Sequence, residues 1–286
     1  MRPLLLSCSA LAVLLAATPA LAQGDSAPPA SGAGGLSGDW IVAGIGATIF
    51  PQYEGANRYE ILPAPGAVGS LGGVSFQLLG SMASVSVGPK LGKHWQLQVG
   101  PVLNYGTNRT HLSVITDRRV RALGRVPAAV ELGGTIGVTG NGVLTSAYDR
   151  LSISLSYRAD IAGAYGGNLL KPSILYLMPV SHKAMILLLA QADRADSKYA
   201  ATYFGVTPAQ ASASGLPNFT PKAGWKDWSL AGASAVTLSG DLTHGLQLVG
   251  GVSYTRLLND FAASPVTSIA GSRHQWMGAA GLAWIF

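Results

Sequence analysis

Beyond residue 22 the chain has no apolar run near the ~20 residues that a spanning helix requires. Its most apolar stretch there, Ala184 to Ala190, is far shorter. Yet hydrophobic residues make up 48% of the 286 positions and charged residues only 11%, against about a quarter in soluble domains. So little charge suits a membrane, where only helices and closed barrels satisfy every backbone N–H and C=O. With spanning helices excluded, the chain reads as all-β: a transmembrane antiparallel up-and-down β-barrel. Barrel strands cross in ~10 residues and need apolar side chains only at alternate positions.

That alternation is legible. Leu151, Ile153, Leu155 and Tyr157 interleave with Ser152, Ser154, Ser156 and Arg158. Trp95, Leu97, Val99 and Leu103 oppose Gln96, Gln98 and Asn104. A soluble sandwich strand would show the same period, so the end of the chain carries more weight. Trp276, Leu282, Trp284 and Phe286 share one face. The span from Trp276 to Phe286 is a height of roughly 25 Å in a tilted strand, which is the lipid-facing band of an outer-membrane barrel with aromatics at both rims. Gly281, Trp284 and Phe286 form a Gly-x-x-aromatic-x-aromatic terminus resembling a barrel-assembly signal, with Ala280 where a polar residue is usual. It implies the barrel-assembly machinery as a partner.

Twelve strands are expected, within a range of ten to fourteen: 39–49, 58–69, 73–80, 82–89, 94–105, 127–139, 150–160, 169–180, 183–192, 225–238, 245–257 and 275–286. Short turns alternate with longer connections, the pattern of bacterial barrels with short periplasmic turns and longer outer loops. An even count puts both termini in the periplasm and the chain in the cell outer membrane, in contact with lipid and lipopolysaccharide. Residues 1–22 read as a secretory signal: Arg2, an apolar run from Leu4 to Ala17, and Ala20-Leu21-Ala22 before the cut. Residues 23–38, rich in Gly, Ala, Ser and Pro, read as a flexible periplasmic lead-in, and 39–286 as the barrel. Cys8 is the single cysteine and lies in the signal, so the mature chain has no thiol chemistry.

Few residues suggest catalysis, and no cofactor is expected. His94, His182 and His244 fall in separate turns, more simply read as polar turn residues than as metal ligands, which must converge. His274, with Asp260 near it, is the one candidate for an outer-rim hydrolase, but no Gly-x-Ser-x-Gly elbow accompanies it. The chain reads as a non-enzyme. Arg109, Arg118, Arg119, Arg121 and Arg125 form a basic loop with Asp117 as its one acid. They could bind lipopolysaccharide phosphates or an acidic solute, or simply lie solvated beside an anionic leaflet. Gln96, Gln98, Ser152, Ser154, Ser156 and Arg158 would line the lumen of a narrow channel or solute-binding barrel. No nucleic-acid motif is present.

Several segments resemble the MipA/OmpV family of outer-membrane proteins (MltA-interacting-protein-like). They are Ala43-Gly44-Ile45-Gly46 with Pro51-Gln52-Tyr53-Glu54-Gly55, and Tyr203-Phe204-Gly205-Val206-Thr207-Pro208 with Ala223-Gly224-Trp225-Lys226-Asp227. Ser253-Tyr254-Thr255-Arg256-Leu257-Leu258 and Gly271-Ser272-Arg273 add to them. The Arg118–Arg125 loop departs from the acidic loop expected there. The resemblance implies a non-enzymatic scaffold that joins a murein-cleaving lytic transglycosylase to a bifunctional penicillin-binding protein. It defines no catalytic residues.

Overall fold

In the computed structural model, which describes Leu36 and residues 38–286, the chain forms one closed antiparallel barrel. The strands are β1 (Trp40–Pro51), β2 (Tyr59–Leu71), β3 (Val74–Leu79), β4 (Met82–Ser86), β5 (Lys90–Leu91), β6 (Trp95–Gly106), β7 (Ala129–Asn141), β8 (Arg150–Asp160), β9 (Asn168–Ser181), β10 (Ala184–Ala195), β11 (Gly224–Gly240), β12 (Gly245–Leu257) and β13 (His274–Ile285). Both β4 and β5 pair with β6, through Met82↔Asn104 and Lys90↔Gln96, and the bridge Val87↔Val99 lies between them. They are one stave interrupted at Gly88-Pro89, so the barrel has twelve staves. Each stave overlaps an expected strand. The signal sequence and most of the lead-in lie outside the described residues.

Closure rests on the pairing of β1 with β13, from Val42↔Ile285 to Ile49↔Gly278. Both ends of the barrel chain therefore meet at one rim, the terminal rim; the long connections gather at the other, the loop rim. At the seam Gly46 opposes Gly281. A Cβ on Gly46 would sit 2.3 Å from the Ala280 carbonyl oxygen, and one on Gly281 would sit 2.6 Å from the Gly46 Cα. The two strands can approach this closely only because both positions lack side chains.

The side chains sort inside-out relative to a soluble protein. Outward positions are apolar and bare, as at Ile45 (66% exposed) and Ile61 (68%), while inward amides are sealed, as at Gln77 (1%). An apolar belt of this extent on a closed ring has no stable partner but lipid. Aromatics mark both edges of the belt: Tyr59, Tyr105, Tyr157, Trp225 and Trp276 face outward at the loop rim, and Trp95, Trp284 and Phe286 at the terminal rim. One part of the wall is low. The hairpin β3–β4 turns at Gly80-Ser81, so β2 has a β3 partner only over Gly66–Leu71. Pro63 and Pro65 occupy the stretch beyond, where a missing N–H donor costs nothing.

The loop rim is not open. Five short helices sit on it: α1 (Arg118–Ala122), α2 (Ser197–Phe204), α3 (Pro208–Ser214), α4 (Asn259–Ala263) and α5 (Pro265–Ser268). Asp196 caps α2 by accepting from the Tyr199 N–H at 2.9 Å, and Thr207 with Gln210 forms a capping box on α3. Two buried clusters weld them together. In one, Phe204 and Phe261 meet edge to face at 5.1 Å beside Tyr199, Tyr203 and Leu257. The other joins Tyr53, Ile115, Val120, Leu216 and Val266.

The seam yields a testable outcome. Gly46→Val should force β1 from β13 and destabilise the barrel by about 1–3 kcal/mol, lowering the temperature of its heat-dependent shift on gels. Gly134→Ala should leave that temperature unchanged, because its added Cβ meets only the Gly100 carbonyl oxygen at 3.6 Å.

Candidate functional site

Beneath the lid, the loop-rim half of the lumen holds a layer of buried ion pairs. Arg158 Nε lies 3.3 Å from Glu131 Oε2, and Asn104 Nδ2 and the Tyr165 hydroxyl each donate to Glu131 at 3.0 Å. Across the barrel, Lys226 Nζ contacts Glu54, lies 3.4 Å from Asp227 and 4.0 Å from Asp193. Lys171 Nζ meets Asp193 at 3.4 Å. The strands dictate this convergence: Glu131, Arg158, Lys171 and Asp193 are inward positions near the loop ends of β7, β8, β9 and β10, and Lys226-Asp227 starts β11. A register shift between Asp193 and Arg194 in the β10–β11 pair accompanies the burial of both Lys226 and Asp227.

Three tyrosines couple this layer to the lid. Tyr199 donates to Glu54 Oε2 at 2.6 Å, and its ring lies 5.2 Å from Lys226 Nζ. The rings of Tyr165, Tyr199 and Tyr203 meet edge-on or tilted, with centroids 4.8–5.7 Å apart. Burial first, and the neighbouring Glu54 carboxylate next, raise the Tyr199 hydroxyl well above its ordinary pKa, so it stays a donor. The space left among these groups is a cavity of about 120 Å³.

The residues expected from sequence are distributed unevenly. Arg109 is buried with φ at 60°, and donates to the carbonyl oxygens of Tyr203 and Thr202 at 3.3 and 2.9 Å. Burial pushes its pKa down to about 10. It clasps α2 and is not brought to the surface with the other arginines. Arg119 pairs with Asp117 at 2.7 Å, which leaves Arg118, Arg121 and Arg125 exposed. Gln96, Gln98, Ser152, Ser154, Ser156 and Arg158 all take inward positions. Some are zipped to the wall: Ser152 bonds Thr139 at 2.8 Å and Ser154 bonds Ser173 at 2.9 Å. Trp284 and Phe286 face the belt, and Gly281 lies in the seam. His274 is bonded to the Tyr254 hydroxyl at 2.6 Å, and Asp260 accepts from the Lys222 N–H at 2.8 Å. Among the described residues no three His, Cys, Asp or Glu side chains cluster as a metal site.

Sequence reasoning missed Glu54, Glu131, Lys171, Asp193, Lys226 and Asp227. The signal was present: an ionisable residue at membrane depth is a functional hypothesis by default. These charges stand in or beside otherwise apolar strands.

A closed ring of strands with a lipid-facing belt, two aromatic girdles and a polar layer inside is an outer-membrane β-barrel. The family profile described as MltA-interacting protein MipA matches residues 43–286, and the chain belongs to that family. A search of curated protein sequences found no match. Among solved structures, the chain is similar to the NanC porin, with 9% identity over 86% of this chain and 98% of that one, at a TM-score of 0.50. It is also similar to an outer membrane channel from Pseudomonas putida F1 (11%, 92% and 99%, TM-score 0.44) and to the channel DcaP of Acinetobacter baumannii (9%, 89% and 100%, TM-score 0.38). Similarity at this identity speaks to the fold alone.

The charged layer makes a clear prediction. Lys226→Met removes a cation shared by Glu54, Asp193 and Asp227 and should cost about 3–5 kcal/mol. Urea unfolding in detergent should show that loss, while Lys226→Arg should recover most of it.

Proposed function

We propose that this barrel is a non-enzymatic scaffold, with both termini in the periplasm, that holds a murein-cleaving lytic transglycosylase beside a bifunctional penicillin-binding protein. The observation that carries this reading is the sealed loop rim. A lid packed over a layer of ion pairs narrows the loop-rim entrance, which favours anchoring over conduction. Family membership supports the partner class, since the family is described by an interaction with MltA.

The terminal rim supplies a rigid platform for such contacts. In the turn 142–149, Asp149 accepts from the N–H groups of Val143 at 2.8 Å, Leu144 at 3.0 Å and Ser146 at 3.2 Å, and from Thr145. The Tyr176 hydroxyl adds a bond at 2.9 Å. Burial raises the Asp149 pKa, but these donors outweigh it and hold the carboxyl well below its usual range. A depressed carboxylate stabilises at any pH above its unfolded value of about 3.9 and loses that contribution only as pH falls through the folded value. The turn therefore stays ordered at mildly acidic pH. It presents Leu144 and Tyr148, each about two-thirds exposed, at 63% and 66%.

Pull-down from solubilised membranes should recover a lytic transglycosylase at both pH 7 and pH 5. Asp149→Ala should abolish recovery without changing the heat-dependent gel shift. Planar bilayers with the purified barrel should stay silent; steady conductance, or recovery of no wall enzyme, would reject the scaffold reading.

A second reading concerns the opposite rim. Arg118, Arg121 and Arg125 are exposed together on and after α1 and suit the phosphates of lipopolysaccharide. Replacing all three with Ser should reduce lipopolysaccharide retained on the purified barrel. Unchanged retention would leave them as solvated loop charges.

A further inference from the structure

The terminal-rim half of the lumen differs from the loop-rim half in a way no alternating pattern predicts. On β9, β10 and β11 the inward positions Leu175, Leu177, Met185, Leu187 and Ala233 are apolar, although the outward positions beside them are apolar too. On β12, β13, β1 and β2 many inward positions are small, including Gly251, Ala279, Gly281, Gly44, Gly46 and Gly66, beside Val42, Val68 and Val249. Large apolar residues on one side and a wall rich in glycine and alanine on the other leave a cavity of about 490 Å³. That volume lies within the range of small-molecule sites, about 300–1,000 Å³.

The wall offers water little. Of its amides, Gln247 is already taken: its Oε1 accepts from Thr237 Oγ1 at 2.8 Å and its Nε2 donates to the Asp241 carbonyl at 2.8 Å. Gln77 is likewise engaged within the protein. A water molecule needs two to four polar partners, and apolar cavities smaller than this one stay dry and accept hydrocarbons. The cavity reaches Leu36, Trp40 and Ile285 at the terminal rim, and Ala64, Gly66 and Leu79 at the foot of the low wall, where β2 loses its β3 partner.

We propose that this cavity is a binding site for a hydrocarbon chain, the tail of a membrane lipid or a free fatty acid. Recognition is by shape and apolar contact, because the wall carries no charged side chain. The site is separate from the ion-pair layer and from the Asp149 turn, so it stands or falls independently of the scaffold reading.

Native mass spectrometry of the detergent-purified mature barrel tests it, with dodecanoic acid and lysophosphatidylethanolamine as probes. The wild type should keep one adduct at energies that strip detergent. Retention of dodecanoic acid alone assigns the site to free acids, and retention of both probes assigns it to lipid tails as well. Ala233→Leu with Ala279→Leu partly fills the cavity and should reduce the adduct by about tenfold or more, equivalent to at least ~1.4 kcal/mol, with the heat-dependent gel shift intact. An equal adduct on the filled variant overturns the proposal, as does no adduct on the wild type. Should removal of residues 23–38 be needed before either probe is retained, the space belongs to the lead-in, and the proposal fails for the native protein. Where the filled variant does not fold, crystals soaked in 12-bromododecanoic acid decide. A bromine anomalous peak between Ala233 and Ala279 supports the site, and peaks confined to the outer belt overturn it.

Discussion

The structure depends on one constraint: in lipid, every backbone donor and acceptor must find a partner within the chain. The pairing of β1 with β13 meets it by removing the last free edge of the sheet. Everything else accommodates that closure. The Gly46–Gly281 contact lets the two strands approach, and the aromatic girdles fix the ring's height in the bilayer. Where the ring is incomplete, beyond Gly66 on β2, prolines remove donors that no strand would have met.

Closure creates an interior that has to be filled without the help of bulk water. The protein solves this differently at each end. Near the loop rim it buries charge. Such pairs hold together only when each ion is matched and further bonded, since desolvation alone would expel them. Glu131 is served by Arg158, Asn104 and Tyr165, and Lys226 by three carboxylates. Near the terminal rim it leaves carbon-lined space along β9 to β13, β1 and β2, while β6 to β8 turn Gln98, Thr139, Arg150 and Ser152 inward.

The lid links this interior to the outside. Tyr199 bonds Glu54 with one face of α2 set over Lys226, while Phe204 packs on Phe261 and Arg109 clasps the end of the helix. The segment with the most specific family resemblance, Tyr203 to Pro208, is therefore a structural hinge between α2 and α3 and part of the seal. Its residue types answer to packing and capping: Thr207 caps α3, and Phe204 is fully buried.

The sequence by itself determined the barrel, its twelve staves and the direction each side chain takes on strands such as β8 and β13. Period-two alternation is local, and lipid enforces it at every outward position. The lid helices were within reach, through Asp196 and the Thr207–Gln210 capping box, but long loops carry no period to announce them. Only the tertiary structure decided the interior. Glu54, Glu131, Lys171, Asp193 and Lys226 are far apart in sequence, and shear and strand order alone make them neighbours. The run Met185 to Ala190 shows the same limit. Apolar on both faces, it reads as one greasy strand, and whether Met185 and Leu187 touch a packed core or empty space depends on glycines and alanines supplied from across the ring.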